Sequence, residues 1–298
     1  MINKIVAIQG NHPSKLNPVT DTSIFLANEV QKKGYKIFYY DPKDLSIINS
    51  KVIANGFFIK FNYTHKKFFK ILKKKKLDLS NCKFILIRQD PPFNLEYISA
   101  TYILDTIRNK VKILNNPTSI RNVSEKLYSA KYQKFMPSTI FTQNIEEIKK
   151  FFKTYKKVIL KPIHSYSGND IHLLNKFDIK LIQKFIKKHD HIMCQKYLPK
   201  ISKGDKRVFL INGKVCGAIS RVPKKGSFLS NMSKGAKPIN IKLTKIENKI
   251  SRLIARDLKK ENIQFAGIDF IDQKLNGDIN VTSPTGLKTL FDISGINL

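Results

Sequence analysis

The chain has 298 residues, 42% of them hydrophobic and 26% charged, with a formal net charge of +33; this fits a globular protein of one large domain or two to three smaller ones. No apolar run approaches the roughly 20 residues needed to cross a bilayer, and residues 1–10 read as a first strand rather than a signal peptide. Three cysteines, Cys82, Cys194 and Cys216, are too few and too scattered for a disulfide framework or a zinc site, so a reduced, cytoplasmic setting is expected.

In the first third, residues 4–9 and 36–40 read as strands around a helix that Asp21 or Thr22 caps and Gly34 ends. A buried strand over 84–88, a helix over 95–108 begun at Asn94 and a strand over 111–114 follow. Strands alternating with helices predict a mostly parallel α/β sheet. Residues 51–80 are less legible, and the lysine run at 73–76 reads as a solvated face. The middle third carries strands at 139–142, 158–161 and 192–196 and helices at 145–152 and near 179–187. In the last third, 207–211 and 215–221 form a hairpin around Asn212-Gly213. A helix over 244–260 sets Ile246, Ile250, Leu253, Ile254 and Leu258 at helical spacing.

Seven arginines leave 48 lysines among the 55 basic residues, spread along the chain beside abundant Ile and Asn. Base readout and bidentate phosphate contacts favour arginine, so nucleic acid is not expected as the main partner. A positive field still draws small anions, ATP among them.

The most informative chemistry lies near the C-terminus. Residues 267–271 form an apolar strand that carries Asp269, and residues 278–281 carry Asp278 and Asn280. By alternation Ile268, Phe270, Ile279 and Val281 face a core, and the three oxygen-bearing side chains face the other way. The polar connection 273–277 ends in Asn-Gly, so a hairpin gathers those oxygens on one sheet face. A hard divalent cation takes one or two carboxylates and completes its shell with water and phosphate; a solvated hairpin face is the alternative. Lys161 follows an apolar run, which argues against an ordinary surface lysine, whereas Lys126 alone reads as one. Arg207 opens an apolar strand, where a guanidinium is uncommon unless it faces a ligand. Residues 222–237, rich in Lys, Gly and Ser, suit a mobile lid or an ordinary disordered loop. Arg88 and Asp90 fall at the end of a strand of the first sheet, where such folds bind ligands, although Asp90-Pro91-Pro92 also suits a turn. The Thr282–Gly286 segment offers backbone N–H groups to an anion before a final helix. His164 reads as structural or loop-exposed.

Several motifs occur in a fixed order: Ile-Arg-Gln-Asp-Pro-Pro-Phe at 87–93, Asn-Asn-Pro-Thr-Ser-Ile-Arg at 115–121, Glu125-Lys126 and Leu-Lys-Pro at 160–162. They continue as Gln-Lys-Tyr-Leu-Pro at 195–199, Gly-Asp-Lys-Arg at 204–207, Arg-Val-Pro at 221–223 and Asp-Ile-Asn-Val-Thr-Ser-Pro-Thr-Gly at 278–286. Together, nearly end to end, they resemble the bacterial glutathione synthetases of the ATP-grasp superfamily. The resemblance implies a Rossmann-like, pre-ATP-grasp parallel sheet over 1–120. A two-lobed ATP-grasp α+β fold would follow, with a small lobe over 121–198 and a large lobe over 199–298. It implies ligation of γ-glutamylcysteine to glycine with ATP and Mg²⁺, or Mn²⁺, through an acyl phosphate. A homo-oligomer is implied as well. Another carboxylate–amine ligase, of the D-alanine–D-alanine or glutamate-adding kind, is the alternative within the superfamily, and a lysine-rich nucleic-acid-binding protein the alternative outside it.

By the same resemblance, Lys126 and Lys161 neutralise ATP phosphates, while Gln195, Tyr197 and Leu198 belong to the segment that reads adenine. Asp205 accepts from ribose or pairs with a lysine. Arg207, with Arg221 as second candidate, steadies charge on the tetrahedral intermediate. Asp269, Asp278 and Asn280 hold metal, and Arg88, Asp90, Thr282, Ser283, Thr285 and Gly286 line the dipeptide site. The chain also departs from the pattern. Gln89 replaces a basic residue, the loop 164–169 keeps one glycine, Asp278 replaces a glutamate at a longer interval from Asp269, and Leu229 replaces an arginine. Relatives are expected to continue past residue 298 into a C-terminal helix.

Overall fold

Three β-sheets follow one another along the chain in a computed structural model that describes residues 4–62, 67–166, 168–227 and 229–297. The first comprises β1 (Ile5–Gln9), β2 (Lys36–Tyr40), β3 (Leu45–Ile48), β4 (Lys51–Phe61), β5 (Phe69–Asp78), β6 (Phe84–Ile87) and β7 (Lys112–Leu114). Its order is β3-β4-β2-β1-β6-β7, with β5 also against β4. The half formed by β2, β1, β6 and β7 is parallel, as the strand–helix alternation predicts. The other half is antiparallel, and it holds the stretch that the sequence left illegible. Its lysine run lies on β5, where residues 70–76 are all exposed; with neither face buried, no alternation marks the strand. Three helices serve this sheet: α1 (Thr22–Lys32), α2 (Leu95–Asp105) and α3 (Pro117–Asn122). The Asp21 carboxylate accepts from the Ile24 N–H at 2.8 Å and opens α1. α2 stops at Asp105, three residues short of the predicted end.

The second sheet is antiparallel throughout: β8 (Thr139–Thr142), β9 (Val158–Pro162), β10 (His172–Leu174) and β11 (Ile192–Lys196), in the order β10-β9-β11-β8. Helices α4 (Ile145–Tyr155) and α5 (Ile179–His189) bury Ile148, Ile182 and Phe185 against Val158, Leu160, Ile192 and Cys194. Because strand side chains alternate, that packing turns Lys161 and Gln195 to the opposite face.

The third sheet is also antiparallel, with β12 (Asp205–Ile211), β13 (Lys214–Val222), β14 (Lys237–Asn240), β15 (Phe265–Ile271) and β16 (Lys274–Asn280) in the order β14-β13-β12-β15-β16. Helix α6 (Lys245–Lys260), opened by a Thr244–Glu247 capping box, packs Ile250, Ile254 and Leu258 on Val208, Leu210, Ile268 and Ile279. On the other face α7 (Leu287–Ser294) covers Phe209 and Ile219 with Leu287 and Leu290. The rest of that second face carries charge.

The β15–β16 hairpin forms, but its connection is not 273–277. It is the two-residue turn Asp272-Gln273, with φ of 46° and 63°, the doubly left-handed backbone of a type I′ turn. Asn276-Gly277 lies inside β16 at an irregularity. Ile268 pairs with Ile279 and Phe270 with Leu275, so residues 276–278 all lie opposite Asp269. This bulge accounts for the long interval between Asp269 and Asp278. Gly277 stands at φ 89°, a backbone that side-chain-bearing residues rarely adopt, and a Cβ there would come within 2.7 Å of the Met193 methyl.

Candidate active site

The polar faces of the second and third sheets bound one cleft of about 880 Å³, its open mouth included. Lys161, Gln195, Tyr197 and Leu198 reach it from β9, β11 and the chain beyond β11. Asp205, Arg207, Arg221, Asp269, Asp278 and Asn280 reach it from the third sheet, and Lys126 from the segment between α3 and β8.

Cross-strand register builds the charged floor. Asp205 stands opposite Arg221, and Arg207 opposite Asp269. The Asp269 carboxylate accepts from Arg207 Nε at 2.5 Å and Nη2 at 2.8 Å, and lies 3.1 Å from Arg221. Arg221 Nε donates to Asp205 at 2.8 Å. All four side chains are buried, a setting in which unpaired charge is expensive. Burial pushes the Asp269 carboxyl up, but the guanidinium groups of Arg207 and Arg221 outweigh it and hold it at about 2.

Two lysines from distant segments converge above this floor. Lys126 Nζ lies 3.5 Å and Lys161 Nζ 3.8 Å from the Asp278 carboxylate. Lys126 donates to Ser165 O at 2.8 Å. Lys161 donates to Asn276 O and Oδ1, both at 2.9 Å, and to Gln195 Oε1 at 3.1 Å. Burial lowers the Lys161 ammonium from its ordinary value. Asn280 Nδ2 donates to Gly267 O at 3.0 Å, which leaves its Oδ1 as the acceptor atom. Among the described residues no group of three or more His, Cys, Asp or Glu could hold a metal ion. Two carboxylates and an amide oxygen therefore suit a hard divalent cation that takes its remaining ligands from phosphate and water.

The residues expected on the dipeptide side lie outside this cleft. Arg88 is buried, its Nε donating to Ser23 Oγ at 3.1 Å and its Nη1 to Pro284 O at 3.0 Å. Asn11 donates to Asp90 at 3.0 Å, and burial raises the Asp90 carboxyl. Ser283 lies beside Arg88 O at 3.5 Å, and Thr285 O accepts from Arg207 at 3.4 Å, so the 282–286 loop bridges Arg88 to the floor. Not all of that loop's amides are offered to an anion. Those of Gly286 and Leu287 donate to Thr22 Oγ1, at 3.0 and 3.3 Å, and that of Thr282 to Glu125 at 3.0 Å. The amides of Ser283 and Thr285 have no protein partner among the described residues.

The departures have local causes. Gln89 is buried and accepts from the side chain of Gln9, which itself accepts from Tyr40 Oη at 3.1 Å, so a neutral amide fits a neutral buried network. The single glycine of the 164–169 loop, Gly168, has φ 71°, and a Cβ on it would meet Asn231 Oδ1 at 2.5 Å. Described residues of the 223–236 segment lie against that loop: Lys234 donates to Asn169 at 3.2 Å, and Leu229, Ser230 and Asn231 wall the cleft. His164 is exposed and stacks on Phe93 at 6.4 Å between ring centroids; partial desolvation and then Lys126 lower its pKa.

Two participants escaped the sequence reading. Glu125 Oε1 accepts from the Val281 and Thr282 amides at 2.8 and 3.0 Å and from Thr282 Oγ1 at 2.9 Å, fixing the exit of β16. Its place beside Lys126 was the available signal. Asn276, which holds Lys161, reads in the sequence as a turn residue because glycine follows it.

Family models describe two successive regions of the chain: "Prokaryotic glutathione synthetase, N-terminal domain" matches residues 5–121, and "Prokaryotic glutathione synthetase, ATP-grasp domain" matches residues 125–295. Glutathione synthetase of Agrobacterium fabrum is 34% identical, covering 99% of this chain and 93% of the relative. That of Buchnera aphidicola subsp. Baizongia pistaciae is 37% identical over 96% and 90%, and that of Shewanella oneidensis 35% over 94% and 91%. Among solved structures, the ATP-grasp ligase PsnB complexed with minimal precursor superposes with a TM-score of 0.65 at 13% identity, over 100% of this chain and 96% of that one. D-alanyl-alanine synthetase A of Vibrio cholerae gives 0.61 at 14%, over 97% and 93%. These two share the fold. No described helix is long and apolar enough to cross a membrane. Convergent lysines, a carboxylate–guanidinium floor and near full-length kinship agree: the chain belongs to the prokaryotic glutathione synthetase family, ATP-grasp enzymes that form glutathione by ATP-dependent ligation.

Proposed function

We propose that the chain joins γ-glutamylcysteine to glycine, with Mg²⁺ as the working metal and Mn²⁺ as a substitute. A carboxylate is a poor electrophile at neutral pH. Transfer of the ATP γ-phosphoryl group to the cysteinyl carboxylate breaks the bond to ADP and forms an acyl phosphate. The glycine amine, as free base, then adds to the carbonyl carbon, and phosphate leaves as the amide forms. Such chemistry is mostly positioning and charge neutralisation.

Lys126 and Lys161 neutralise the phosphates, with Asn276 and Gln195 aiming the second. Gln195, Tyr197 and Leu198 border the adenine, and Asp205 serves the ribose while pairing Arg221. Asp269, Asp278 and Asn280 would hold the metal, which would supply positive charge to offset that of the phosphates. Arg207 and Arg221 steady the oxyanion, and the 223–236 segment excludes water from the acyl phosphate. Arg88 and Asp90, with Thr282, Ser283, Thr285 and Gly286, form the dipeptide side. In this division residues 1–120 present substrate, 121–198 form the small lobe and 199–298 the large one. Residues 1–3, 63–66, 167, 228 and 298 lie outside the described residues.

The observation that carries this reading is the convergence of two lysine ammonium groups, 3.5 and 3.8 Å from one carboxylate, where a phosphate needs two point charges. ADP release tests it. Turnover is expected with Mg-ATP, γ-glutamylcysteine and glycine, and not with D-alanine in their place. Binding of RNA without any turnover would reject the ligase. A homo-oligomer is expected by light scattering, and a monomer at working concentration would refute that part.

A further inference from the structure

The irregularity on β16 turns two polar side chains toward the cleft where a regular strand would turn one. Leu275 and Ile279 are both buried in the core, so alternation sends Asn276 and Asp278, which lie between them, to the other side. Both line the cleft. A regular ladder would set a single residue opposite Asp269, between the Ile268–Ile279 and Phe270–Leu275 pairs; three residues occupy that place. Asn276 fills the added outward position.

Its amide stands between two opposite charges. Oδ1 accepts from Lys161 Nζ at 2.9 Å, and Nδ2 donates to Asp278 Oδ2 at 3.4 Å. An ammonium has three N–H groups to give. Those of Lys161 go to Asn276 O, Asn276 Oδ1 and Gln195 Oε1, all neutral oxygens. The Asp278 carboxylate is left 3.8 Å away, beyond hydrogen-bond reach. Lys161 is buried, and there a direct pair with a carboxylate would hold firmly. Two of the three acceptors are themselves fixed: Asn276 O belongs to the backbone, and the Gln195 amide is tethered at its other end, where Nε2 donates to Thr139 Oγ1 at 2.9 Å. The Asn276 side chain is what keeps the third N–H from the carboxylate.

We propose that Asn276 is a positioning residue that holds the Lys161 ammonium off the Asp278 carboxylate, so that the lysine stays open to a phosphate and the carboxylate to a cation. The assignment rests on the reading in which Lys161 serves ATP, and the test separates the two. ATP affinity is measured by calorimetry with a chelator present, so that no cation takes part. Asn276→Ala should weaken binding about tenfold, the size of one hydrogen bond to a charged group, because the freed N–H turns to Asp278. In an Asp278→Asn background the same substitution should change affinity less than twofold, since no carboxylate is left to capture the lysine. Asn276→Ser, whose hydroxyl still accepts, should lose less than Asn276→Ala and repeats the comparison in both backgrounds. A loss of equal size with and without the Asp278 carboxylate would mean that Asn276 only aims the lysine, and no loss in either would mean that it does not act on the lysine at all; each result overturns the proposal. Wild-type protein that binds no ATP would overturn the phosphate role of Lys161 and, with it, the ligase reading itself.

Discussion

A single carboxylate illustrates how tightly the site is charged. Asp269 is squeezed between Arg207 and Arg221 and held at about 2 after burial has pushed the other way. Its folded-state pKa lies below the ordinary carboxylate value, so its stabilisation is complete above about pH 4 and is lost as pH falls through about 2. The shift corresponds to roughly 2 kcal/mol. Asp269→Asn should remove that acid-side dependence from a urea-midpoint titration. At neutral pH it should also destabilise by about 3–5 kcal/mol, since the buried Arg207 guanidinium loses its counter-charge and Arg221 keeps only Asp205. Lys161 makes a different demand. Its ammonium is buried and aimed by Asn276 and Gln195, so Lys161→Met should keep the fold yet weaken ATP binding by about tenfold or more, read by calorimetry. Unaltered ATP affinity would remove this lysine from the phosphate site.

The β15–β16 hairpin shows an element shaped by its turn and its bulge together. The turn Asp272-Gln273 places two non-glycine residues at positive φ, which costs side-chain-bearing residues about 1 kcal/mol each. Gln273→Gly should therefore raise stability by about 0.5–1 kcal/mol in chemical denaturation with activity preserved. A loss of stability would mean that Gln273 makes a contact worth more than the strain. The same hairpin depends on Glu125, whose one oxygen collects three donors from Val281 and Thr282. Replacing it by alanine should lower kcat by an order of magnitude while leaving the far end of the third sheet protected from hydrogen exchange. Its role would be positioning, through the exit of β16.

At the scale of the molecule, one side chain ties the first sheet to the third. Asn115 follows β7, and its amide donates to Phe265 O and Val281 O and accepts from the Gln264 and Phe265 amides, all between 2.7 and 2.9 Å. Four hydrogen bonds at roughly 1 kcal/mol apiece give an expected loss of about 2–4 kcal/mol for Asn115→Ala, with one cooperative unfolding transition splitting into two. Net charge acts over the same scale. At +33, the protein draws ATP through a field that salt screens within about 10 Å at 0.1 M. KM for ATP should rise with ionic strength, more steeply than KM for zwitterionic glycine; equal slopes would place the effect in the site and not in the field.

Local pattern alone determined much of this protein. Alternation and capping residues placed most strands and helices, and the order of short motifs pointed to the ATP-grasp ligases, because propensity, periodicity and turn chemistry act over a few neighbours along the chain. The exposed strand β5 was hidden, since a strand with no buried face has no alternation to read. The turn at Asp272-Gln273 was hidden behind Asn276-Gly277, whose glycine answers to the left-handed backbone of a strand irregularity rather than to a turn. Only the tertiary structure decided that Arg207 faces Asp269 and that Lys126 and Lys161 meet over Asp278. Those relations join residues up to 152 positions apart, as from Lys126 to Asp278, and distance in space across packed sheets leaves no periodic trace in the chain.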